Sequence, residues 1–248
     1  MGGPTAVIEL GGVRLLTDPT FDQPGEYPVG SRTLTKTAGP ALSPREVEPV
    51  DAVLLSHDQH PDNLDTLGRV FLMDVPLVIS TPSASDRLGG VLRALRPWEQ
   101  IDLPRSDGGA LRVTGVPAQH GPDGSERLVG EVTGFVLSGA GLPTVYVSGD
   151  NASLEVVRAI AEKVRSIDVA VLFAGGAQTE LLGDAYLTLP SEAAAEAARM
   201  LAASHVVPVH FEHWAHFTQG RDTLLDSFSR AGLADRLHLL DPGEELDL

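Results

Sequence analysis

Short, continuous runs of apolar residues recur along this chain, and segments with apolar residues at helical spacing lie between them. Continuous runs of this kind are typical of strands that are buried on both faces of a sheet. They occupy residues 52–55, 77–79, 169–173 and 206–209. The helical patterns predict helices over residues 83–95, 154–165, 191–203 and 222–231, the first two beginning at the capping residues Ser83 and Ser153.

A weak internal duplication underlies this order of elements. Residues 6–18 and 135–150 each read as strand, glycine-rich turn and strand, and they end on Asp18 and Asp150. We therefore predict an α/β (α+β) chain that forms one domain over 1–248, with two similar halves over about 1–125 and 126–248. Sheets packed on each other with helices outside are the layer arrangement that this mixture favours.

The composition of the chain limits the partners that it is expected to bind. The chain has 18 Lys and Arg against 34 Asp and Glu, a formal net charge of −16, and 42% hydrophobic residues. These values are ordinary for a globular protein but argue against nucleic acid or an anionic membrane as partner, since both bind clustered basic residues. An anionic substrate would need a local cation to overcome repulsion by the net negative charge of the chain.

The sequence has no cysteine, which excludes disulfides, thiolate catalysis and sulfur-ligated metal sites. We recognise neither a signal peptide nor an apolar stretch near the roughly 20 residues of a membrane span. We expect a soluble, cytoplasmic protein, and the lysine-poor composition suggests a GC-rich bacterial genome. A homo-oligomer is expected only because many enzymes of this size self-associate.

Histidines and aspartates collect where predicted buried strands end. The densest cluster lies at residues 57–65, and others surround His120, Asp150 and His210. A single histidine in such a place is more often a hydrogen-bonded residue than a ligand, and we interpret His205 and His238 in that way. Four clusters in the order His, His, Asp, His favour a metal site, and these ligands suit Zn²⁺, Mn²⁺ or Fe²⁺.

These motifs resemble those of the metallo-β-lactamase-fold hydrolases. The resemblance is carried by the turn around Asp18, the histidine-rich loop at 57–65, His120, Asp150 and His210. It is nearest to the branch similar to ascorbate-6-phosphate lactonase and the N-acyl-phosphatidylethanolamine phospholipases. It implies a four-layer αββα sandwich of two similar halves, and a divalent cation cofactor, zinc first and manganese or iron as alternatives, with one or two ions.

The resemblance also implies a ligand set. His57 and His120 match ligands of the first metal and Asp62 a ligand of the second, while Asp150 bridges both and His210 is the last histidine. Two positions depart from the family's His-x-His-x-Asp-His pattern. Its second histidine falls on Gln59 when counted from His57 and on His60 when counted back from Asp62, and we favour His60. Its final histidine is replaced by Asn63.

Catalytic roles follow from the same resemblance. Asp62 would orient the attacking water or accept its proton. His213 and His216 would give a proton to the leaving group or contact a substrate anion, with aromatic packing against Trp214 and Phe217 as the alternative. Asp18 and Asp65 would fix the orientation of loops and imidazoles, and Asp58 reads as a solvated loop residue.

The predicted function is therefore hydrolysis of a small ester, lactone or phosphodiester. Two alternatives stay open: a ligand-binding protein that has lost hydrolysis, motivated by Gln59 and Asn63, and a nuclease of the same fold, which the net charge opposes. Residues 21–39 and 178–189 are predicted to overhang the site. Arg32 and Lys36 are the only cations of the first of these segments, and neither segment contains an arginine pair.

Overall fold

Two β-sheets form the centre of the molecule in the computed structural model, which describes residues 2–248. The strands are β1 (Val7–Leu10), β2 (Val13–Thr17), β3 (Gly25–Val29), β4 (Arg32–Lys36), β5 (Ala52–Leu54), β6 (Val78–Ser80), β7 (Leu92–Ala94), β8 (Gln100–Pro104), β9 (Ala110–Pro117), β10 (Thr133–Ser138), β11 (Val145–Val147), β12 (Val169–Phe173) and β13 (His205–Val209). The helices are α1 (Pro44–Val47), α2 (Thr66–Phe71), α3 (Pro82–Leu88), α4 (Glu126–Val129), α5 (Leu154–Lys163), α6 (Ser191–Leu201) and α7 (Arg221–Arg230).

The first sheet has the order β1-β2-β5-β6-β7, and the second has the order β13-β12-β11-β10-β9-β8. In each sheet an antiparallel hairpin, β1-β2 or β10-β11, is followed by strands that run parallel to its second member. The predicted hairpins at 6–18 and 135–150 are thus present. The two sheets divide the chain between residues 94 and 100, because β8 and β9 pair with the second sheet rather than the first.

Alternation along the strands builds the layers. In β2 the side chain of Leu15 enters the cluster between the two sheets, while its neighbour Leu16 packs on the outer face. Val53 and Leu54 of β5 divide in the same way. Successive residues of a strand point to opposite faces, so continuous apolar runs are needed where both faces are covered. Each such side chain, when fully buried, contributes about 1.5–3 kcal/mol of transfer free energy.

Helices cover both outer faces. The outer face of the second sheet packs against α5, α6 and α7 through residues such as Ile160, Ala198 and Phe228. The outer face of the first sheet packs against α2 through Phe71 and against α3 through Ala84. The predicted four-layer αββα sandwich is therefore confirmed.

The predicted helix over residues 83–95 is wrong in its extent. Helix α3 begins two residues earlier, with Thr81 as N-cap accepting a hydrogen bond from the amide of Ala84, and it ends at Leu88. Gly89 and Gly90 follow in the left-handed region with φ of 61° and 67°, which releases the chain into strand β7. The other three predicted helices match α5, α6 and α7 to within two residues or so.

Residues 21–39, predicted as an overhanging loop, contain the antiparallel hairpin β3-β4. The last residue of this hairpin, Lys36, is anchored by a buried ion pair in which its Nζ lies 3.0 Å from Asp65 Oδ2. Asp65 is also the N-cap of α2 and accepts hydrogen bonds from the amides of Gly68 and Asp22. One buried carboxylate therefore joins the hairpin to the end of the histidine-rich loop.

Replacing Lys36 with methionine is expected to lower the free energy of unfolding by about 3–5 kcal/mol, because it leaves the Asp65 carboxylate buried without its cation. Both side chains are almost fully buried, at 2% and 0% exposure. Urea denaturation measures the change. The matched control is Arg112→Met, which breaks an ion pair with Asp102 on the surface and should change stability little. Equal effects in the two variants would contradict the anchoring role of Lys36.

Within residues 2–248, no helix has both the length and the apolar character that crossing a membrane requires.

Candidate metal centre

Five chemistry-bearing loops leave the sheets at the carboxyl ends of strands. Asp18 follows β2, His57 follows β5, His120 follows β9, Asp150 follows β11 and His210 follows β13. Within each sheet these strands run in the same direction, so their carboxyl ends share one edge. Residues on such an edge lie close together in space although they are far apart in the chain.

The backbone is unusual at two of these strand ends. Asp18 and His210 have positive φ values of 28° and 57°, a region that non-glycine residues rarely adopt. The His210 amide donates to the carbonyl of Gly3 at 2.8 Å, which supports its conformation. Gly149, directly before Asp150, has φ of 57°, and a Cβ there would lie 2.6 Å from the Thr133 carbonyl oxygen. Glycine is therefore required where the Asp150 loop meets the neighbouring strand.

Three imidazoles form the first cluster. His57 Nε2 lies 2.9 Å from His60 Nδ1, and His120 Nε2 lies 3.3 Å from the same atom. All three rings are buried. These separations are close to the roughly 3.3 Å edge of a tetrahedron of nitrogens around zinc with bonds of about 2.0–2.1 Å. The group is one of two in which ligand atoms lie within 4.8 Å of one another.

Two carboxylates and one imidazole, Asp62, Asp150 and His210, form the second cluster. His210 Nε2 lies 3.2 Å from Asp62 Oδ2, and His210 Nδ1 lies 3.8 Å from Asp150 Oδ1. The clusters are adjacent, since His120 Nδ1 lies 3.7 Å from Asp150 Oδ2. The site therefore offers four imidazoles and two carboxylates in one buried region.

The polar atoms of the second cluster fit a cation better than they fit one another. Among residues 2–248, hydrogen-bond partners are lacking for both ring nitrogens of His210 and for Asn63 Oδ1 beside the cluster. Burying such atoms without a partner costs about 1–3 kcal/mol each. A divalent cation accepts lone pairs from all of these atom types, so the residues present fit a metal.

The pKa values of the four clustered histidines also favour metal binding. Burial, together with the neighbouring imidazoles, lowers the pKa of His57 well below its usual range and lowers the pKa of His120 to about 3. Burial also lowers the pKa of His60 and of His210. These imidazoles are therefore neutral at pH 7, which is the form that binds a metal.

The carboxylates differ from each other. Burial and the nearby charge of Asp62 raise the pKa of Asp150 well above its usual range. Burial also acts to raise the pKa of Asp62, but the imidazoles of His216 and His210 in contact with its carboxylate outweigh it and hold that pKa well below the usual range. A bound cation would favour ionisation of Asp150 as well.

A network of hydrogen bonds orients the ligating groups. Asp18 accepts from the amide of Ser56 at 2.6 Å and from Asn63 Nδ2 at 3.3 Å, and burial raises its pKa to about 7. Ser56 Oγ lies 3.0 Å from His57 Nδ1, which leaves His57 Nε2 facing the cluster. Asn63 Nδ2 also donates to Asp150 Oδ1 at 2.9 Å. Asp18 thus positions the loop, as the resemblance implied.

His120 is oriented by a residue that the sequence analysis missed. Its Nδ1 lies 2.9 Å from the carbonyl oxygen of Leu187. Because a carbonyl can only accept, Nδ1 carries the proton and Nε2 presents its lone pair to the cluster. No sequence signal identifies a backbone carbonyl in this role. Ser56, in contrast, was recognisable as the hydroxyl directly before His57.

The structure brings His60, and not Gln59, into the three-histidine cluster. The side-chain amide of Gln59 is turned toward Gly130, where a Cβ would lie 2.3 Å from Gln59 Oε1. From His57 to Asp62 the loop is one residue longer than the His-x-His-x-Asp pattern. His57 and His60 both face inward, and Gln59 lies outside the cluster.

His216 and His213 occupy different places. His216 Nε2 lies 3.0 Å from Asp62 Oδ2, and its ring also packs against Phe217 with centroids 4.6 Å apart. His213 lies against Gly2, and its carbonyl accepts from the amide of Thr37. Among the hydrogen bonds of residues 2–248, none joins the His213 ring to either cluster.

Asp58 is not the solvated residue that the sequence suggested. It is buried, and its carboxylate forms an ion pair of 2.5 Å with Arg87 of α3. His205 and His238 lie away from the clusters and face each other, with His205 Nδ1 and His238 Nε2 2.9 Å apart. Both histidines therefore have a local partner, as expected.

A narrow cavity of about 20 Å³ opens beside the clusters and is lined by the following residues: Arg32, Leu34, His60, Asp62, His120, Asp150, Ala177, Gln178, Thr179, Leu187 and His216. Its roof comes from hairpin β3-β4 and from residues 177–187, so both segments predicted to overhang the site do so. Arg32 donates a hydrogen bond to Thr179 Oγ1 and joins the two parts of the roof.

Comparison with known proteins gives three kinds of similarity. A family model described as a beta-lactamase superfamily domain matches residues 13–211. Among curated proteins, a UPF0173 metal-dependent hydrolase of Pyrococcus abyssi is 24% identical over 216 residues, covering 87% of this chain and 89% of that protein. A UPF0173 metal-dependent hydrolase of Methanosphaerula palustris is 28% identical over 190 residues, covering 73% and 77%.

Among solved structures, the isothiocyanate hydrolase from Delia radicum gut bacteria superposes with a TM-score of 0.82 at 20% identity. The match covers 100% of this chain and 97% of that protein. At this identity the similarity shows only a shared fold, and it agrees with the two packed sheets described above.

Proposed function

Because this chain belongs to the family of the beta-lactamase superfamily domain, we propose that its two His/Asp clusters hold one or two divalent cations in a hydrolase for small substrates. The chain is a metal-dependent hydrolase of the metallo-β-lactamase superfamily, as its relatives are named. The substrate class proposed is a small ester, lactone or phosphodiester. The convergence of six ligating side chains in one buried region carries the proposal.

The chain's own residues divide the work of holding the cations. His57, His60 and His120 would bind one ion, and Asp62 and His210 would bind the other, with Asp150 close to both clusters. Zinc is proposed first because imidazole nitrogen and carboxylate oxygen are its usual ligands where cysteine is absent, and manganese and iron accept the same donors. When bound, a divalent cation polarises a carbonyl or phosphoryl oxygen and lowers the pKa of a water molecule to about 7.

Asp62 and His216 are placed for proton transfer. Asp62 Oδ1 is buried and has no hydrogen-bond partner among the described residues, so it is free to accept a proton from the attacking water. Asp62 Oδ2 is occupied by His216 Nε2 at 3.0 Å. We propose that His216, which lines the narrow cavity, donates a proton from Nε2 to the leaving group. His213 has no comparable contact, so the proton-donor role predicted for it is not proposed further.

The size of the cavity supports a small substrate. About 20 Å³ is space for little more than one water-sized group beside the clusters. The hairpin β3-β4 and the segment around Thr179 cover it from outside. A compact reacting group, rather than an internal bond of a polymer, fits a centre with this roof.

Turnover with metal removal and restoration tests the proposed function. Protein purified without chelator should hydrolyse at least one member of a panel of 4-nitrophenyl esters, γ- and δ-lactones and bis(4-nitrophenyl) phosphate. Treatment with a chelator should abolish this activity, and Zn²⁺ or Mn²⁺ should restore it. Tight metal binding without turnover of any of the three classes would favour the ligand-binding alternative. That alternative is motivated by Asn63, which replaces the final histidine of the family pattern.

A further inference from the structure

An open cleft of about 300 Å³ lies next to the narrow cavity, on the outer side of His60. Its walls are the turn of hairpin β3-β4, helix α4 and Leu181 of the opposite segment. Arg32 and His60 line both the cleft and the narrow cavity. A molecule in the cleft is therefore in direct reach of the three-histidine cluster.

Two arginines in this cleft have no acidic partner. Half of the cations of this acidic chain are neutralised. Nine of its 18 Lys and Arg residues lie within 4.0 Å of a carboxylate, in the ion pairs of Arg14, Lys36, Arg87, Arg96, Arg105, Arg112, Arg199, Arg221 and Arg230. Within residues 2–248, the Arg32 guanidinium hydrogen-bonds only to the hydroxyl of Thr179, and Arg127 forms no ion pair. Glu126 is the one acidic residue of the cleft lining, and it pairs with neither arginine.

The position of Arg32 suits recognition of an anion. A guanidinium has five N–H donors, and the bond to Thr179 uses one of them and holds the group in place. The remaining donors are available for a carboxylate or phosphate, which guanidinium binds in a bidentate manner. Arg127 comes from helix α4, outside both segments that the sequence predicted to overhang the site.

The mouth of the cleft is apolar. Leu128 and Leu181 are 57% and 48% exposed and stand on its two sides. Large apolar side chains exposed at the rim of a polar site are typical of a surface that receives an apolar portion of a ligand. The two leucines would gain most from a ligand that carries a short hydrocarbon portion.

Gln59 adds a neutral hydrogen-bonding group to the lining of the cleft. Its side-chain amide packs against Gly130, and Gln59 Oε1 is buried without a hydrogen-bond partner among the described residues. Any side chain at position 130 would displace this amide. The loop residue that is excluded from the three-histidine cluster thus faces the cleft instead.

We propose that this cleft selects substrates in which a carboxylate or phosphate group is attached to a short apolar portion, and that Arg32 is the residue that binds the anion. Arg127 adds positive charge at the mouth, and Leu128 with Leu181 contacts the apolar portion. This inference rests on the proposed function, because it treats the cleft as the approach to the hydrolytic centre. It adds a substrate class to that function: small anionic amphiphiles.

Calorimetric binding to the metal-loaded protein tests the inference without any turnover. The probes are hexanoate, hexyl phosphate and hexanamide, which share a six-carbon chain and differ in charge. We expect the anions to bind at least tenfold more tightly than the neutral amide. Comparing hexanoate with hexyl phosphate shows which anion the cleft prefers.

Variants separate Arg32 from the metal as the source of anion binding. Arg32→Gln is expected to weaken binding of the preferred anion about tenfold or more, with unchanged metal content by elemental analysis, and Arg32→Lys is expected to lie between the two. Arg127→Gln, at an exposed position, should weaken binding two- to threefold. The matched control is Arg93→Gln, an arginine without an acidic partner on strand β7 that does not line the cleft.

Equal binding of the three probes, or no measurable anion binding at millimolar concentration, would overturn the inference. Unchanged anion affinity in both Arg32→Gln and Arg127→Gln would assign the anion to the metal and would also overturn it. Arg32-dependent anion binding in a protein that hydrolyses none of the tested substrate classes would leave the cleft as a binding site and reject the proposed function instead.

Discussion

Replacing Asp62 with asparagine is expected to lower kcat by about 10²- to 10⁴-fold, the usual contribution of a positioned general base. Asparagine keeps the size of the side chain but cannot take up the proton that we assign to Asp62 Oδ1. The Asp62 carboxylate also contacts His210 and His216 at 3.2 and 3.0 Å, so its charge is lost from the middle of the second cluster. Steady-state kinetics with the best substrate of the panel measures the change.

Two controls make this result specific. Metal content must be measured in the Asp62→Asn variant, and the ion of the three-histidine cluster should be retained, because His57, His60 and His120 are untouched. Asp58→Asn changes a second buried carboxylate of the same loop, whose partner is Arg87 rather than either cluster. Activity in Asp62→Asn within threefold of the parent would reject Asp62 as the proton acceptor.

His57→Ala and His210→Ala are each expected to lose the metal ion of their own cluster. Each variant removes an imidazole whose ring is completely buried at the centre. Loss of a ligand should weaken metal binding by more than about 100-fold, the upper end of what loss of an outer-shell partner costs. Elemental analysis after dialysis against metal-free buffer measures the content, with untagged protein because a histidine tag would itself carry metal.

His205→Ala is the matched control for these variants. His205 pairs with His238 away from the site, so the variant should retain the full metal content of the parent. If the parent binds no metal even after incubation with Zn²⁺ and Mn²⁺, the proposed hydrolytic centre is rejected. The same conclusion holds if His57→Ala and His210→Ala both keep the content of the parent.

The local sequence could not decide which side chains of the histidine-rich loop turn inward. Counting from His57 or from Asp62 gives different second ligands, and only the packing of Gln59 against Gly130, far along the chain, selects His60. The prediction that Asp58 is solvated was wrong for a similar reason. Its partner Arg87 lies on a helix 29 residues away along the chain, so no local pattern indicates that Asp58 is buried. In both cases a contact between distant segments determined the orientation.

The predicted helix over residues 83–95 shows that a clear local pattern can also mislead. Its apolar spacing suits a helix, yet Gly89 and Gly90 end it and residues 92–94 pair with strand β6. Pairing within the sheet outweighs local helix propensity, which is a weak preference of under about 1 kcal/mol per residue. The sequence also gives no sign that two arginines share the cleft, because Arg32 and Arg127 are 95 positions apart along the chain.

By itself, the sequence determined the fold class, the duplicated hairpins and the set of strand ends that carry histidine and aspartate. These features are local, because alternation and apolar runs define strands, and loops at the ends of parallel strands meet at one edge. The tertiary structure alone decided which of those side chains converge, that the Leu187 carbonyl orients His120, and that Arg32 and Arg127 share a cleft. The physical reason is that a metal centre and its cleft are built from angstrom-scale contacts between segments that no local pattern relates.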